Sequence, residues 1–398
     1  MNKCIVLLLS ISSAVLLTQD GCNAAQRAYS VPESHKEMVK LSDNSEYTYP
    51  LKTAAYWTSP IMSKSDAHNL AKHDLLIVDL ENKFNNPQIL SELKKLNPAI
   101  KLLAYSNPME IFLTIYSNRP WQNKVIKEIT TNRQEWLLKT IKIEKGVKRE
   151  DYAKFWPGMT MLNMSSTCPK IKGQRYSDWM ANKIENEILS DPIFDGYFMD
   201  NGTVNISWVY PRNNEKIDIN GDKKADSDIF VDRKWSKGVN SYLSHLRAHA
   251  GQKKGIFSWF VNLFVKKKDI IIISNKGDLN LLKMVDGKFF EKFPNNYLGD
   301  KWANGWRQSM SNAKKTGEFT ILQTDRGNLQ FGLASYLLLD NVYIAVGQDD
   351  AGVFPNFYLK TGKALSHMKT KNGVYTREYE KVTVTVKPIN NIGQITLK

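Results

Sequence analysis

Phe194-Asp195-Gly196-Tyr197-Phe198-Met199-Asp200-Asn201 is a short, largely apolar run that stops abruptly at a carboxylate and an amide. Such a run reads as a strand buried on both faces, because a strand with one wet face would alternate apolar and polar residues along its length. A buried strand that delivers an acid at its C-terminal end is what a parallel barrel places at the mouth of its site. Runs of the same kind recur on either side. Ala54–Thr58, Asp74–Asp79 and Lys101–Tyr105 precede it, and Ile270–Ser274, Lys288–Glu291, Phe319–Thr324 and Val342–Val346 follow. Helix-period stretches lie between many of them, at Pro87–Leu96, Gln122–Ile143, Ser177–Leu189, Ile229–His249, Leu298–Lys314 and Leu329–Leu339. Strands alternating with helices in this way predict an α/β fold, a (β/α)8 TIM barrel. A doubly wound sheet is the competing architecture, but no Gly-x-Gly-x-x-Gly follows any of these strands.

Two segments exceed a minimal barrel. Residues 106–193 are too long for one strand-to-strand connection, so an insertion after the third strand is expected, with helices and the strand-like Met159–Met164. Past Phe354 the pattern turns to alternation, as in Thr376–Lys387, which predicts a small C-terminal antiparallel β appendage. The expected organisation is a signal peptide at 1–25, a polar lead-in at 26–50, the barrel at 51–353 and the appendage at 354–398.

Composition narrows the function classes. The 398 residues include 55 Lys or Arg and 40 Asp or Glu, a net charge of +15, with 42% hydrophobic and 11% aromatic positions. That much apolar surface excludes a mostly disordered chain. No apolar run reaches the roughly 18 to 20 residues of a membrane span, which excludes a polytopic membrane protein. Lys3, the apolar run from Cys4 to Leu17 and the small pair Ala24-Ala25 read as an export signal, with a mature chain starting near Gln26 and a periplasmic or secreted location. Lipoprotein processing at Cys22 is the alternative, but Gln19 stands where a lipobox carries Leu. Without the signal Cys168 is the one thiol left, so neither an intramolecular disulfide nor a cysteine-ligated zinc site is available. The lysines are scattered and no aromatic-rich basic motif accompanies them, so nucleic acid is not an expected partner. The run Gly255–Val265 is apolar and aromatic, with Lys253 and Lys254 before it and Lys266, Lys267 and Lys268 after. Two readings are open for it: peripheral contact with an anionic membrane, or a helix end buried against the barrel.

Acids at strand ends are the candidates for chemistry: Asp79 and Glu81 after the second strand, Asp200 after the fourth and Glu291 at the end of the sixth. Glycosidic hydrolysis needs one carboxyl group to protonate the leaving oxygen and a second to act as nucleophile or as base for water. Acids on nearby barrel strands supply such a pair. The plainer alternative is that Asp200 caps its loop and Glu291 pairs with a Lys. Trp57, Tyr105, Trp156, Trp208 and Tyr210 fall near the presumed mouth, where aromatic faces suit sugar rings; Trp57 and Tyr105 serve equally well as barrel core. His245 and His249 share a helix face, but no Glu adjoins His245 as a zinc-protease helix requires, which points to packing or surface. Asp218-Ile219-Asn220-Gly221-Asp222 begins like a calcium loop. Lys223 replaces the turn glycine and Ile229 the bidentate acid, which leaves an Asx-turn loop as the other reading.

The Phe-Asp-Gly-x-Phe-x-Asp-Asn stretch, the Tyr56-Trp57 opening strand, Asp74-Leu75-Leu76-Ile77-Val78-Asp79, Lys101-Leu102-Leu103-Ala104-Tyr105, Ile219-Asn220-Gly221-Asp222 and the Arg377-Glu378-Tyr379-Glu380 tail resemble a family of glycoside hydrolase barrels related to endo-α-1,4-polygalactosaminidases. The resemblance implies a (β/α)8 fold in which acids ending strands four and six act together. Those positions here are Asp200 and Glu291. Asn201-Gly202 follows the first with no further acid, which departs from the family pattern and leaves open which acid is nucleophile and which proton donor.

The resulting expectation is an exported glycoside hydrolase acting on a polysaccharide or oligosaccharide. Asp200 and Glu291 are catalytic, with Trp57, Asp79, Glu81, Tyr105, Asn201 and Trp208 in substrate binding, and no metal or organic cofactor is implied. A non-catalytic barrel that binds carbohydrate or serves the cell envelope is the alternative from another class. A barrel phosphodiesterase ranks behind both, because strand-end histidines are missing.

Overall fold

The computed structural model describes residues 50–210, 214–249, 269–275, 281, 283–294, 298 and 305–398. The run at 255–265, the export signal, most of the lead-in and Cys22 lie outside the described residues.

Eight parallel strands form one sheet: β1 Ala54–Trp57, β2 Leu75–Asp79, β3 Lys101–Ser106, β4 Gly196–Met199, β5 Ile271–Asn275, β6 Gly287–Phe290, β7 Thr320–Thr324 and β8 Val342–Val346. Each pairs with its neighbour in chain order, from Ala54 opposite Leu75 to Thr324 opposite Val346. A parallel bridge between Thr53 and Ile344 joins the last strand to the first, with Ile344 N donating to Lys52 O at 3.1 Å. The predicted barrel is thereby borne out.

Successive side chains on a strand face opposite sides, and the strands here are buried on both. Tyr56, Ile77, Leu103, Phe198, Ile273 and Phe289 belong to the cluster that fills the barrel. Their neighbours Trp57, Leu76, Val78, Leu102, Tyr197 and Ile272 face outward into the larger layer under the helices. Filling of both layers leaves the strand ends as the place where polar side chains can converge.

The third connection is the predicted insertion. Strand Glu110–Phe112 pairs with Met159–Met161, and the hairpin Lys139–Glu144/Val147–Tyr152 stands beside them. Helix Pro120–Asn132 precedes the hairpin, and helix Tyr176–Lys183 runs into a π-helical turn, Ile184–Leu189. The helix expected over Gln122–Ile143 is corrected here. It ends at Asn132, and Lys139–Glu144 is the central strand of a three-stranded sheet whose third member, Glu215–Asp218, comes from the loop after β4. That strand partner lies about 75 residues downstream, and pairing with it overrides the local pattern. In the stretch expected to be helical at Leu298–Lys314, the helix described is Trp306–Ala313.

The C-terminal appendage is a four-stranded antiparallel sheet, Lys369–Lys371, Val374–Glu378, Val382–Lys387 and Ile392–Leu397. Val382, Val384 and Val386 share its buried face and join the cluster of helix Leu329–Leu337. At Gly393 a Cβ would lie 2.9 Å from Phe331 Cα and 2.7 Å from Ala334 Cβ, so only glycine lets the sheet approach that helix so closely.

Candidate active site

Strand periodicity sets the site. Phe198, Ile273 and Phe289 point into the barrel, and two residues further along β4, β5 and β6 come Asp200, Asn275 and Glu291. The same step leads from Ile77 to Asp79 and from Leu103 to Tyr105. A spacing of two keeps the inner face, so these polar groups emerge together at the C-terminal rim.

Asp200 is the centre of the hydrogen bonding. Its Oδ1 accepts from Asn275 Nδ2 at 2.8 Å and from the Asn201 backbone N at 2.8 Å, and its Oδ2 accepts from the Tyr105 hydroxyl at 2.7 Å. The same Asn275 nitrogen lies 3.5 Å from Glu291 Oε2, so one amide spans both carboxylates. Burial, reinforced by the negative charge of Asp200, pushes the Tyr56 and Tyr105 hydroxyls well above their ordinary range, and Glu291 adds to the effect at Tyr56. Asn201 turns the chain at φ +53°, a left-handed conformation that Asn tolerates better than most residues. A Cβ on the following Gly202 would overlap Ser274 Oγ, so glycine is required for the close approach to β5.

Asp79 and Glu81 occupy the same cleft, both held by protein groups. Arg119 Nη1 donates to Asp79 Oδ2 at 2.9 Å and the Glu81 N donates to Asp79 Oδ1 at 2.9 Å. Glu81 receives the Trp121 and Gln122 amides at 3.0 and 2.7 Å, placing its charge on the open N–H groups of helix Pro120–Asn132. Burial raises both carboxyls above their usual range, with Arg119 opposing the shift at Asp79 and the helix amides opposing it at Glu81.

Glu110, from the insertion, is an acid that strand-end reasoning passed over. It is 3% exposed, and Oε1 accepts the Phe155 and Trp156 amides at 3.2 and 2.9 Å while Oε2 accepts Asn201 Nδ2 at 2.9 Å. Burial raises its carboxyl, and those amides oppose the rise. Asn275 and Arg119 were also missed. An Asn in a strand-end Ser-Asn pair carried a weak signal, whereas Arg119 and Glu110 reach the site only through the folding of the insertion.

Among the described residues a cleft of about 430 Å³ opens at this rim, lined among others by Asp200, Tyr105, Glu110, Arg119 and Trp156. The expected site residues fall into three groups. Asp200, Tyr105 and Asn201 meet directly, with Glu291 joined to them through Asn275, and Asp79 and Glu81 line the cleft beside them. Trp208, 38% exposed, sits further out, edge-on to Phe155 at 5.2 Å. Trp57 is on the outer face of β1, buried under the helix layer with its indole N–H on Ile61 O at 3.1 Å, because it adjoins the inward Tyr56. The Tyr210 hydroxyl is engaged by the backbone of Lys154. His245 Nε2 lies 3.1 Å from the Glu185 carboxylate, a packing role. The 218–228 loop closes on itself: Asp218 accepts the Gly221 and Lys223 amides, and Asp226 that of Ile219. No group of acids, histidines and cysteines suited to holding a metal ion occurs among the described residues.

No curated protein sequence matches the chain. Solved structures similar to it include a maltogenic α-amylase from Thermotoga neapolitana, at 9% identity and a TM-score of 0.45 over 85% of this chain and 86% of that one. A Flavobacterium johnsoniae dextranase complexed with glucose matches at 13% identity and 0.45 over 78% of this chain, which spans 37% of the dextranase. A β-galactosidase from the Antarctic haloarchaeon Halorubrum lacusprofundi matches at 9% and 0.40, over 74% of this chain and 52% of its own. A family model matches residues 94–383, from the helix before β3 to the C-terminal sheet and through every strand-end group described above except Asp79 and Glu81. With well over half of the chain matched, the protein belongs to the family described as hypothetical glycosyl hydrolase family 15.

Proposed function

We propose that the protein hydrolyses glycosidic bonds with Asp200 as nucleophile and Glu291 as proton donor. The observation that carries this reading is the Asn275 side-chain nitrogen, which lies within 3.5 Å of carboxyl groups from both β4 and β6, the first of which, Asp200, lines the cleft. Three donors converge on Asp200 and fix the orientation of its carboxyl group, and Glu291 is the second carboxyl of the pair. Glu291 protonates the leaving oxygen as Asp200 closes a covalent bond to the anomeric carbon. Glu291, now ionised, takes a proton from water, which displaces Asp200 and restores both groups. The contacts of 2.8 and 3.5 Å to one nitrogen keep Asp200 Oδ1 and Glu291 Oε2 within reach of a single sugar ring. A nucleophilic Asp200 implies retention of the anomeric configuration. The family membership supports a carbohydrate substrate. The motif resemblance keeps galactosamine polymers among the substrates to test, and the N-terminal run after Lys3 supports export. Reducing-sugar release from a panel of neutral, amino-sugar and acidic glycans, with the anomer of the first product read by proton NMR, tests the proposal. An inverted product would overturn the nucleophile assignment. Glycan binding without release from any member of the panel would favour a carbohydrate-binding barrel instead.

A further inference from the structure

Burying a carboxylate is costly unless several donors meet it, so a nearly inaccessible Glu beside an open cleft calls for a specific cause. Glu110 is such a group. Its carboxylate ties three parts of the molecule together: the backbone at Phe155 and Trp156, the side chain of Asn201 that follows Asp200, and, at 3.5 Å, Asn107 after β3. Trp156 lines the same cleft as Asp200 yet is 46% exposed, more than packing alone explains for so large an apolar ring. It is braced from behind, with Phe155 at 5.3 Å and 63° and Phe155 in turn edge-on to Trp208.

From this placement we infer that Glu110 is a positioning residue for substrate binding, fixing the Trp156 indole as a stacking platform for a second sugar ring next to the ring cleaved at Asp200. The inference rests on the hydrolase reading for the position of the cleaved ring. It adds a substrate class: glycans of at least two rings, whose second ring presents a C–H face to the indole. Glu110 does its work by acceptance alone. Oε1 sets the backbone from which Trp156 projects, and Oε2 holds the Asn201 side chain and so ties that backbone to the barrel.

The test compares the parent with Trp156→Ala, Glu110→Gln and the double variant on glycans of increasing length. Kinetics are read as kcat and KM separately, and glycan affinity by tryptophan fluorescence or calorimetry. For substrates long enough to reach the platform, each single variant should raise KM or Kd roughly tenfold with kcat within about threefold, the pattern of lost ground-state binding. The double variant should be little worse than either single variant, since both remove one platform. The length dependence seen in the parent should disappear. A Glu110→Gln variant that loses kcat with KM unchanged would place the carboxyl in the chemistry and overturn the inference. So would multiplying effects in the double variant, or an unchanged KM in Trp156→Ala, a surface truncation whose folding is not at risk. If the parent binds glycans but cleaves none, the hydrolase reading fails while the platform is judged from Kd. If it neither cleaves nor binds, both fail.

Discussion

The side-chain nitrogen of Asn275 lies 2.8 Å from Asp200 Oδ1 and 3.5 Å from Glu291 Oε2. A neutral donor that touches both side chains fixes them relative to one another without giving up a proton. Strand β5, which carries no acid at its end, thus contributes the group on which the acids of its two neighbours converge.

Asp200→Asn and Glu291→Gln keep shape while removing the nucleophilic charge or the transferable proton. Each should lose at least about a hundredfold in kcat on whichever glycan is cleaved, with the melting temperature little changed. Near-normal turnover in both would make the pair structural.

Asn275→Ala should act on the same step through orientation. We expect kcat to fall by roughly ten- to a hundredfold with a small change in KM, because the donor is 5% exposed and meets the acids rather than the open cleft. A rise in KM at unchanged kcat would assign Asn275 to sugar binding instead.

Glu81 is expected to behave as a structural acid. Glu81→Ala strips two amides at the start of helix Pro120–Asn132 of a charged acceptor and should cost roughly 2 to 3 kcal/mol in chemical denaturation. Activity per folded molecule should survive. A stable but inactive variant would return Glu81 to the catalytic candidates.

His73 gives the pH prediction. Burial, aided by the Lys72 charge and opposed by Asp350, lowers its pKa from 6.5 to about 3. A depressed folded value means that the unfolded chain takes up the proton first, so stability present above about pH 6.5 is lost as the pH falls towards 3. The slope approaches about 1.4 kcal/mol per pH unit well below 6.5. His73 packs edge-on to Phe357 at 6.2 Å, so His73→Phe retains an aromatic ring there. Unfolding midpoints from pH 7 to 4 should fall less for His73→Phe than for the parent; parallel curves would contradict the linkage.

Sequence alone determined the barrel, because a strand buried on both faces between amphipathic helices has few ways to pack, and each of the eight strands carried that signal within a handful of residues. It also placed Asp79, Asp200 and Glu291 at strand ends, since side-chain alternation with a period of two is a local property. Which face each residue takes was not legible. Tyr56 and Trp57 are both aromatic, and only closure of the sheet sent the first inward and the second under the helices. Gln122–Ile143 read as one helix because the competing partner of Lys139–Glu144 is Glu215–Asp218, far along the chain. Glu110, Arg119 and the Trp156 wall belong to an insertion whose strands and helices have no fixed relation to the barrel until they pack on it. Glu110 reaches the residue after Asp200 through a buried hydrogen bond to Asn201, 91 residues away, while Arg119 and Trp156 are held through Asp79 and Glu110, and such bonds form only when water is excluded.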